Sequence, residues 1–115
     1  MEEKGKIVDF DLKLLESFIE KRRPPIEMRD QLDIAYRQGK QSFEIYTIRP
    51  YFLDSSKKIE SEIAKIRYVK SRKVWRLYWM RADMKWHFYE PAGEMTHLSQ
   101  ALEIIDEDGY GCFWG

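Results

Sequence analysis

Several features common in small proteins are scarce or missing in this chain of 115 residues, which has one cysteine, Cys112, and two histidines. A single cysteine excludes an intramolecular disulfide and a cysteine-rich zinc site. No apolar run approaches the roughly 18 residues that a membrane-spanning helix needs, and the first residues do not form a signal peptide. A glycine-rich phosphate loop and a nucleophile elbow are also missing. We therefore expect a cytoplasmic protein with no membrane association, no cofactor and no metal site.

The composition that remains is that of a folded domain rich in aromatic residues. Hydrophobic residues make up 43% of the chain and aromatic residues 15%, which argues against intrinsic disorder. Domains commonly contain about 100–150 residues. Because no linker, repeat or low-complexity segment divides the sequence, we expect residues 1–115 to form one domain.

The formal net charge is zero, but the charges are segregated along the chain. Residues 55–87 contain 10 basic and 3 acidic side chains, whereas residues 88–115 contain 6 acids and no Lys or Arg. Such asymmetry can mark a binding surface. If the acidic segment folds across the basic one, the charges cancel internally; if it lies elsewhere, the basic segment is free to bind a partner.

Hydrophobic periodicity predicts two helices separated by strands. Apolar side chains recur at helical spacing in residues 10–22, where Pro24-Pro25 ends the helix, and again in residues 95–106. Between them the period changes to two, which predicts strands at 31–37, 41–49, 63–70, 74–81 and 85–90, with a polar loop at 51–58. The predicted fold class is α+β: an antiparallel meander sheet of about five strands, flanked by an N-terminal and a C-terminal helix that form a single layer on one face. We expect the apolar tail, residues 110–115, to dock on this core or against a sheet edge.

Alternation along each strand divides the side chains between two faces of the sheet. The predicted buried face consists of Leu32, Ile34, Tyr36, Phe43, Ile45, Ala64, Ile66, Tyr68, Trp75, Leu77, Trp79, Trp86 and Phe88. The predicted opposite face consists of Asp33, Arg37, Glu44, Tyr46, Lys65, Arg67, Arg76, Tyr78, His87 and Tyr89. This second face interleaves basic side chains with tyrosines and a histidine.

A surface of this kind favours a binding module, with single-stranded nucleic acid as the first ligand class to consider. Arginines can hold phosphates and aromatic rings can stack on bases. The predicted binding residues are Tyr46, Arg67, Arg76, Tyr78, His87 and Tyr89. The same residues are also compatible with ordinary cross-strand pairing on a solvated sheet face, so both interpretations stay open.

Two further classes of function are compatible with the sequence. A metal-dependent phosphodiesterase, resembling nucleases in its chemistry, would use Asp33, Glu44 and Lys65 as catalytic residues. The familiar nuclease pattern places a lysine two residues after the second acid, and that position holds Tyr46. A structural or interaction protein would instead form a homodimer through an open sheet edge or the aromatic tail.

Specific segments resemble a known protein family. They are Ile48-Arg49-Pro50, the stretch from Ala64 to Tyr68, the stretch from Trp75 to His87, and the tail from Asp106 to Gly115. Together they resemble a family of short bacterial proteins catalogued as domain of unknown function 3024, over most of residues 28–115. The resemblance implies a bacterial cytoplasmic setting and a self-contained domain. It implies no activity, cofactor or substrate.

Overall fold

Two helices pack on one face of a six-stranded antiparallel sheet in the computed structural model, which describes residues 8–115. The helices are α1 (Asp9–Arg22) and α2 (Leu98–Glu107). The strands are β1 (Asp33–Gln38), β2 (Ser42–Tyr51), β3 (Asp54–Val69), β4 (Val74–Met80), β5 (Trp86–Phe88) and β6 (Glu94–Met95). The predicted α+β class, the antiparallel meander and the terminal positions of the helices are confirmed.

The sheet follows the chain, because β1 to β5 are neighbours in sequence order. β6 breaks this order and pairs with β4, where Trp75 faces Met95 and Arg76 faces Glu94. Since β3 pairs with β4 along its other side, β5 and β6 share the outer edge of β4. This arrangement returns the chain to the sheet just before α2 begins.

The core lies between the helices and one face of the sheet. Leu15 and Ile19 of α1 and an apolar stripe on α2 contact the inward residues of β1–β4, and Phe43 stacks on Trp75 at 6.2 Å between ring centroids. Local sequence explains where α1 ends and where α2 begins. α1 ends before Pro24-Pro25, and the side chain of Gln100 accepts the backbone N–H of His97 at 3.0 Å at the start of α2.

Two of the predicted element boundaries were wrong, and two short elements were not predicted. The loop expected at 51–58 is largely strand, since β2 runs to Tyr51 and β3 begins at Asp54, leaving Phe52 and Leu53 as an exposed hairpin tip. The C-terminal helix begins at Leu98, because Glu94 and Met95 form β6. Short 3₁₀ helices at Ile26–Met28 and Glu90–Ala92 were not anticipated. Within residues 8–115, no helix has the length and apolar character needed to cross a bilayer.

The C-terminal tail docks as predicted. Phe113 is buried, and the indole N–H of Trp114 donates to the carbonyl of Ile105 at 2.8 Å. The carboxylate of Asp108 accepts the backbone N–H groups of Phe113 at 3.0 Å and Trp114 at 2.8 Å. The tail is thereby fastened to the end of α2, against the helix-bearing side of the sheet.

Candidate functional site

The sheet face opposite the helices, called the open face below, carries no packed element among residues 8–115. Both helices and the docked tail lie on the other side. Residues 88–115 contain six acids, and three of them, Glu103, Asp106 and Glu107, belong to α2 on the helix side. Glu94 lies opposite Arg76 across the strands and reaches the open face. The acidic segment therefore does not fold across the basic strands.

Strand register places the open-face side chains in rows that run across the sheet. The first row contains Ser42, Arg67, Arg76 and Glu94. The second row contains Arg37, Glu44, Lys65, Tyr78 and Phe88. Arg67, Arg76 and Tyr78, three of the six predicted binding residues, are therefore immediate neighbours.

Arg76 contacts three neighbouring side chains on the open face. Its Nε donates to the hydroxyl of Tyr78 at 3.0 Å, and its guanidinium carbon lies 4.0 Å from the ring centroid of Phe88. A further N–H donates to Glu94 at 2.9 Å. The hydrogen bond with Tyr78, followed by that with Glu94, raises the pKa of Arg76 despite its partial burial. Arg76 is thus a fixed cation that lies over an aromatic ring.

Glu94 accepts hydrogen bonds from two arginines. Arg72 and Arg76 both donate to the same carboxylate oxygen of Glu94. The hydrogen bond with Arg72 and then that with Arg76 hold the pKa of Glu94 below its ordinary value. The carboxylate of Glu94 therefore lies between two guanidinium groups, in a position where a phosphate oxygen could also bind.

Basic side chains converge at one end of the sheet. The β1–β2 turn and the β3–β4 turn lie at the same end as the row that contains Arg67 and Arg76. We call this group the basic end; its members are Lys40, Arg67, Lys70, Arg72, Lys73 and Arg76. Among residues 8–115, Arg67 makes no ion pair, and Glu94 is the acid that pairs with Arg72 and Arg76. The basic end therefore keeps a strong positive charge.

In the other half of the open face, acidic side chains pair with the basic side chain of Arg37. Arg37 donates to Glu60 at 2.6 Å, lies 3.8 Å from Glu44, and stacks 4.1 Å from the ring centroid of Tyr46. Its hydrogen bond with Glu60 raises the pKa of Arg37. Tyr46 lies on the predicted face, but its ring is covered by Arg37 and it faces Glu62 across the strands. This half is less suited to an anionic partner.

The predicted orientation of β5 was wrong. Register pairs Tyr78 with Phe88 and Trp79 with His87, so Trp86 and Phe88 lie on the open face, whereas His87 shares the face of Trp79. Tyr89 is 4% exposed and packs against Phe113 in the core, with ring centroids 5.0 Å apart. His87 and Tyr89 therefore do not join Arg67 and Arg76, and sequence reasoning missed Trp86 and Phe88.

The three residues considered for a phosphodiesterase do not come together. Lys65 faces Glu44 directly, but Asp33 faces Ile48, four residues further along β2, a separation of roughly 13 Å. Arg23 binds the carboxylate of Asp33 through two nitrogens at 2.9 and 2.8 Å, which lowers the pKa of Asp33. Within residues 8–115 there is no group of three or more His, Cys, Asp or Glu side chains placed to hold a metal ion.

Comparison with known proteins gives one match. The profile of a family described as a domain of unknown function, DUF3024, matches residues 3–115. Comparisons with curated proteins and with solved structures gave no significant match.

Proposed function

The chain belongs to the DUF3024 family, whose description assigns no activity, and from the geometry of the open face we propose a binding module for single-stranded nucleic acid. The basic end holds the phosphates, and the neighbouring aromatic rings contact the bases. The observation that carries this proposal is the cross-strand pair Arg67 and Arg76 beside Tyr78 and Phe88, on a sheet face that no described element covers.

The charge pattern supports an anionic partner. Arg67 and Arg76 are directly opposite each other, and like charges in that position destabilise a sheet. The lysines and arginine of the β3–β4 turn add to the same potential. A phosphate that binds near Arg67 relieves this repulsion. Its contact with the arginine also releases counterions that were condensed on the nucleic acid.

Aromatic side chains support a single-stranded partner. Tyr78, Trp86 and Phe88 are half-buried on adjacent strands, so each side chain keeps part of its surface in solvent. The guanidinium of Arg76 covers one face of the Phe88 ring at 4.0 Å, so Tyr78 and Trp86 are the rings that we expect to stack on bases. Bases stack on such rings with about 1–3 kcal/mol each and with little sequence preference, because every base has a π face. Adjacent strands lie about 4.8 Å apart, so the surface accommodates about two or three unpaired nucleotides.

A salt-dependent binding experiment tests the proposal. We expect a fluorescently labelled oligonucleotide of about 12 nucleotides to bind at low ionic strength, with log Kd rising as salt is added. Arg67→Gln removes one phosphate contact and should reduce the salt slope by about 0.7. Trp86→Leu should weaken binding by about tenfold and leave that slope unchanged, because stacking releases no counterion.

The matched control is Arg49→Gln, because Arg49 is exposed, lies on the β2–β3 hairpin and is remote from the basic end. It should reduce binding only slightly. No change in anisotropy at low ionic strength, or equal losses from Arg67→Gln and Arg49→Gln, would contradict the proposal.

A further inference from the structure

A cavity of about 350 Å³ lies between β5 and the docked tail, and Phe88 of the open face is part of its rim. We call it the tail cavity. Its walls include Trp79, Arg81, His87, Tyr89, Glu90 and Cys112. Its size is within the range of small-molecule sites, and its lining combines aromatic surface with a few polar groups, as such sites do.

Tyr89 provides the first indication that the tail cavity binds a ligand. Its side chain is 4% exposed and forms no side-chain hydrogen bond within residues 8–115, and its hydroxyl is not among the buried polar atoms that lack a partner. The hydroxyl therefore keeps access to solvent and is free to donate to a ligand. Packing against Phe113 and the backbone hydrogen bond from Tyr89 to Leu77 at 2.8 Å hold the residue in place. Burial raises the pKa of Tyr89, so the hydroxyl keeps its proton and can donate.

Arg81 provides the second indication. Its guanidinium carbon lies 5.3 Å from the ring centroid of Trp79, and within residues 8–115 it forms no salt bridge. His87 lies nearby, with Nε2 bound to Asp83 at 2.8 Å, which leaves Nδ1 as its remaining polar atom. The tail cavity therefore has a cation, a hydroxyl donor and an imidazole nitrogen along an aromatic wall.

We infer that the tail cavity binds a small aromatic carboxylate. The carboxylate contacts Arg81 through the paired N–H groups that suit it, and the ring packs against Trp79. The hydroxyl of Tyr89 donates to the ligand. A monoanion fits better than a phosphate, which carries about −1.5 to −2 at neutral pH, because one free cation shares the wall with the carboxylate of Glu90.

The tail cavity adjoins the proposed nucleic-acid surface at Phe88, which lines both, whereas Arg81 and Tyr89 are not part of the basic end. A variant at Arg81 should therefore keep oligonucleotide binding, and a variant at Arg67 should keep binding at the tail cavity. Arg67→Gln serves as the charge-matched control for Arg81→Gln, since Arg67 belongs to the basic end.

Titration with benzoate, followed by backbone amide NMR, tests the inference. We expect saturable shifts at Arg81, Tyr89 and Cys112, with half-saturation at millimolar benzoate, a range typical of weak fragment binding. Arg81→Gln should raise the half-saturation concentration by about tenfold, and Tyr89→Phe by about threefold, through loss of one charged and one neutral contact. Benzamide, which has the same shape without the charge, should bind as weakly to the unmodified chain as benzoate does to the Arg81→Gln variant.

A second measurement uses Cys112 as a reporter. Benzoate should slow the reaction of the Cys112 thiol with an aromatic disulfide reagent in the unmodified chain and in Arg67→Gln, and have no effect in Arg81→Gln. Spectra of each variant establish that it is folded. Shifts that do not saturate, equal affinities for benzoate and benzamide, or loss of the effect in Arg67→Gln would overturn the inference.

Discussion

The carboxylate of Asp108 is expected to be a major determinant of stability, because it fastens the tail to the end of α2. The residue has a left-handed backbone, with φ of 46°, and its side chain turns back to accept the N–H groups of Phe113 and Trp114. Asp108→Ala removes both acceptors and retains the unfavourable backbone conformation. The tail then keeps the hydrogen bond from the Trp114 indole to Ile105 but loses the two that hold the backbone of Phe113 and Trp114.

The magnitude follows from the two contacts. A hydrogen bond to a charged group contributes about 1.5–3 kcal/mol, and the partial exposure of Asp108 reduces that gain. We expect Asp108→Ala to lower the free energy of unfolding by about 2–4 kcal/mol. Asp108→Asn keeps the shape and one acceptor oxygen, so about half of that loss is expected. Asp108→Gly should lie between the two, because glycine adopts the left-handed backbone at no steric cost.

Urea denaturation followed by tryptophan fluorescence measures these differences. The denaturant slope should stay constant across the series, so that each midpoint reports stability. If Asp108→Ala stays within about 0.5 kcal/mol of the unmodified chain, the reasoning about the tail is refuted.

The same carboxylate predicts a dependence on pH. Burial raises the pKa of Asp108, but the N–H groups of Trp114, Phe113 and their neighbours outweigh it and bring the pKa below its ordinary value of 3.8. A group whose pKa is lower in the folded state contributes stability that is complete above its unfolded pKa and is lost as the pH falls through its folded pKa. Below pH 3.8 the unmodified chain should therefore lose stability more steeply than Asp108→Asn.

Two other variants have expected outcomes. Glu94→Gln removes the negative charge bound by Arg72 and Arg76, so oligonucleotide binding measured by anisotropy should become several-fold tighter, with a steeper salt dependence. Glu107→Gln, on the helix side, is the control and should have little effect. An equal gain in both variants would mean that the tighter binding comes from net charge and not from the position of Glu94. Phe43→Ala should lower the free energy of unfolding, measured by urea denaturation, by about 3–5 kcal/mol, because Phe43 is fully buried. Phe52→Ala is the control, because Phe52 is 86% exposed, and it should change that free energy by less than about 0.5 kcal/mol. Similar losses in the two variants would contradict the assigned core.

The helices and the faces of β1–β4 could be predicted because their patterns are long and one-sided. Residues such as Phe43, Ile45, Ile66 and Leu77 alternate with charged neighbours, and every one of them is buried. The hairpin beyond Thr47 could not be recognised in this way. Most of its residues are exposed, so no alternation marks them, and Pro50 indicated an end to the strand although proline fits at a register irregularity.

The orientation of β5 was predicted wrongly because the prediction assigned its more apolar residues to the buried face of the sheet. Trp86 and Phe88 are more apolar than His87 and Tyr89, which favoured burial of the first pair. The structure is set instead by the register of the β4–β5 hairpin, where Met84 adopts a left-handed backbone with φ of 63°. The predicted strands placed a turn at residues 82–84, but a methionine does not indicate the left-handed backbone that a glycine at that position would have suggested.

The candidate site was therefore predicted in part. Alternation correctly placed Arg67, Arg76 and Tyr78 on one face, since they belong to strands with a clear period. Glu94 was missed because β6 has two residues, too few for a pattern. The tail cavity was missed because it forms only when residues near the C-terminus return to β5, a contact that no local pattern contains.

The sequential order of the strands also has a consequence for the kinetics of folding. Each strand from β1 to β5 pairs with its neighbour along the chain, so most of the sheet can form by closing short loops. In contrast, Arg22 of α1 and Asp106 of α2 are 84 residues apart, and they meet at 2.5 Å only after the chain ends converge. We expect helix pairing and tail docking to follow the transition state, so that their loss accelerates unfolding and leaves the folding rate almost unchanged.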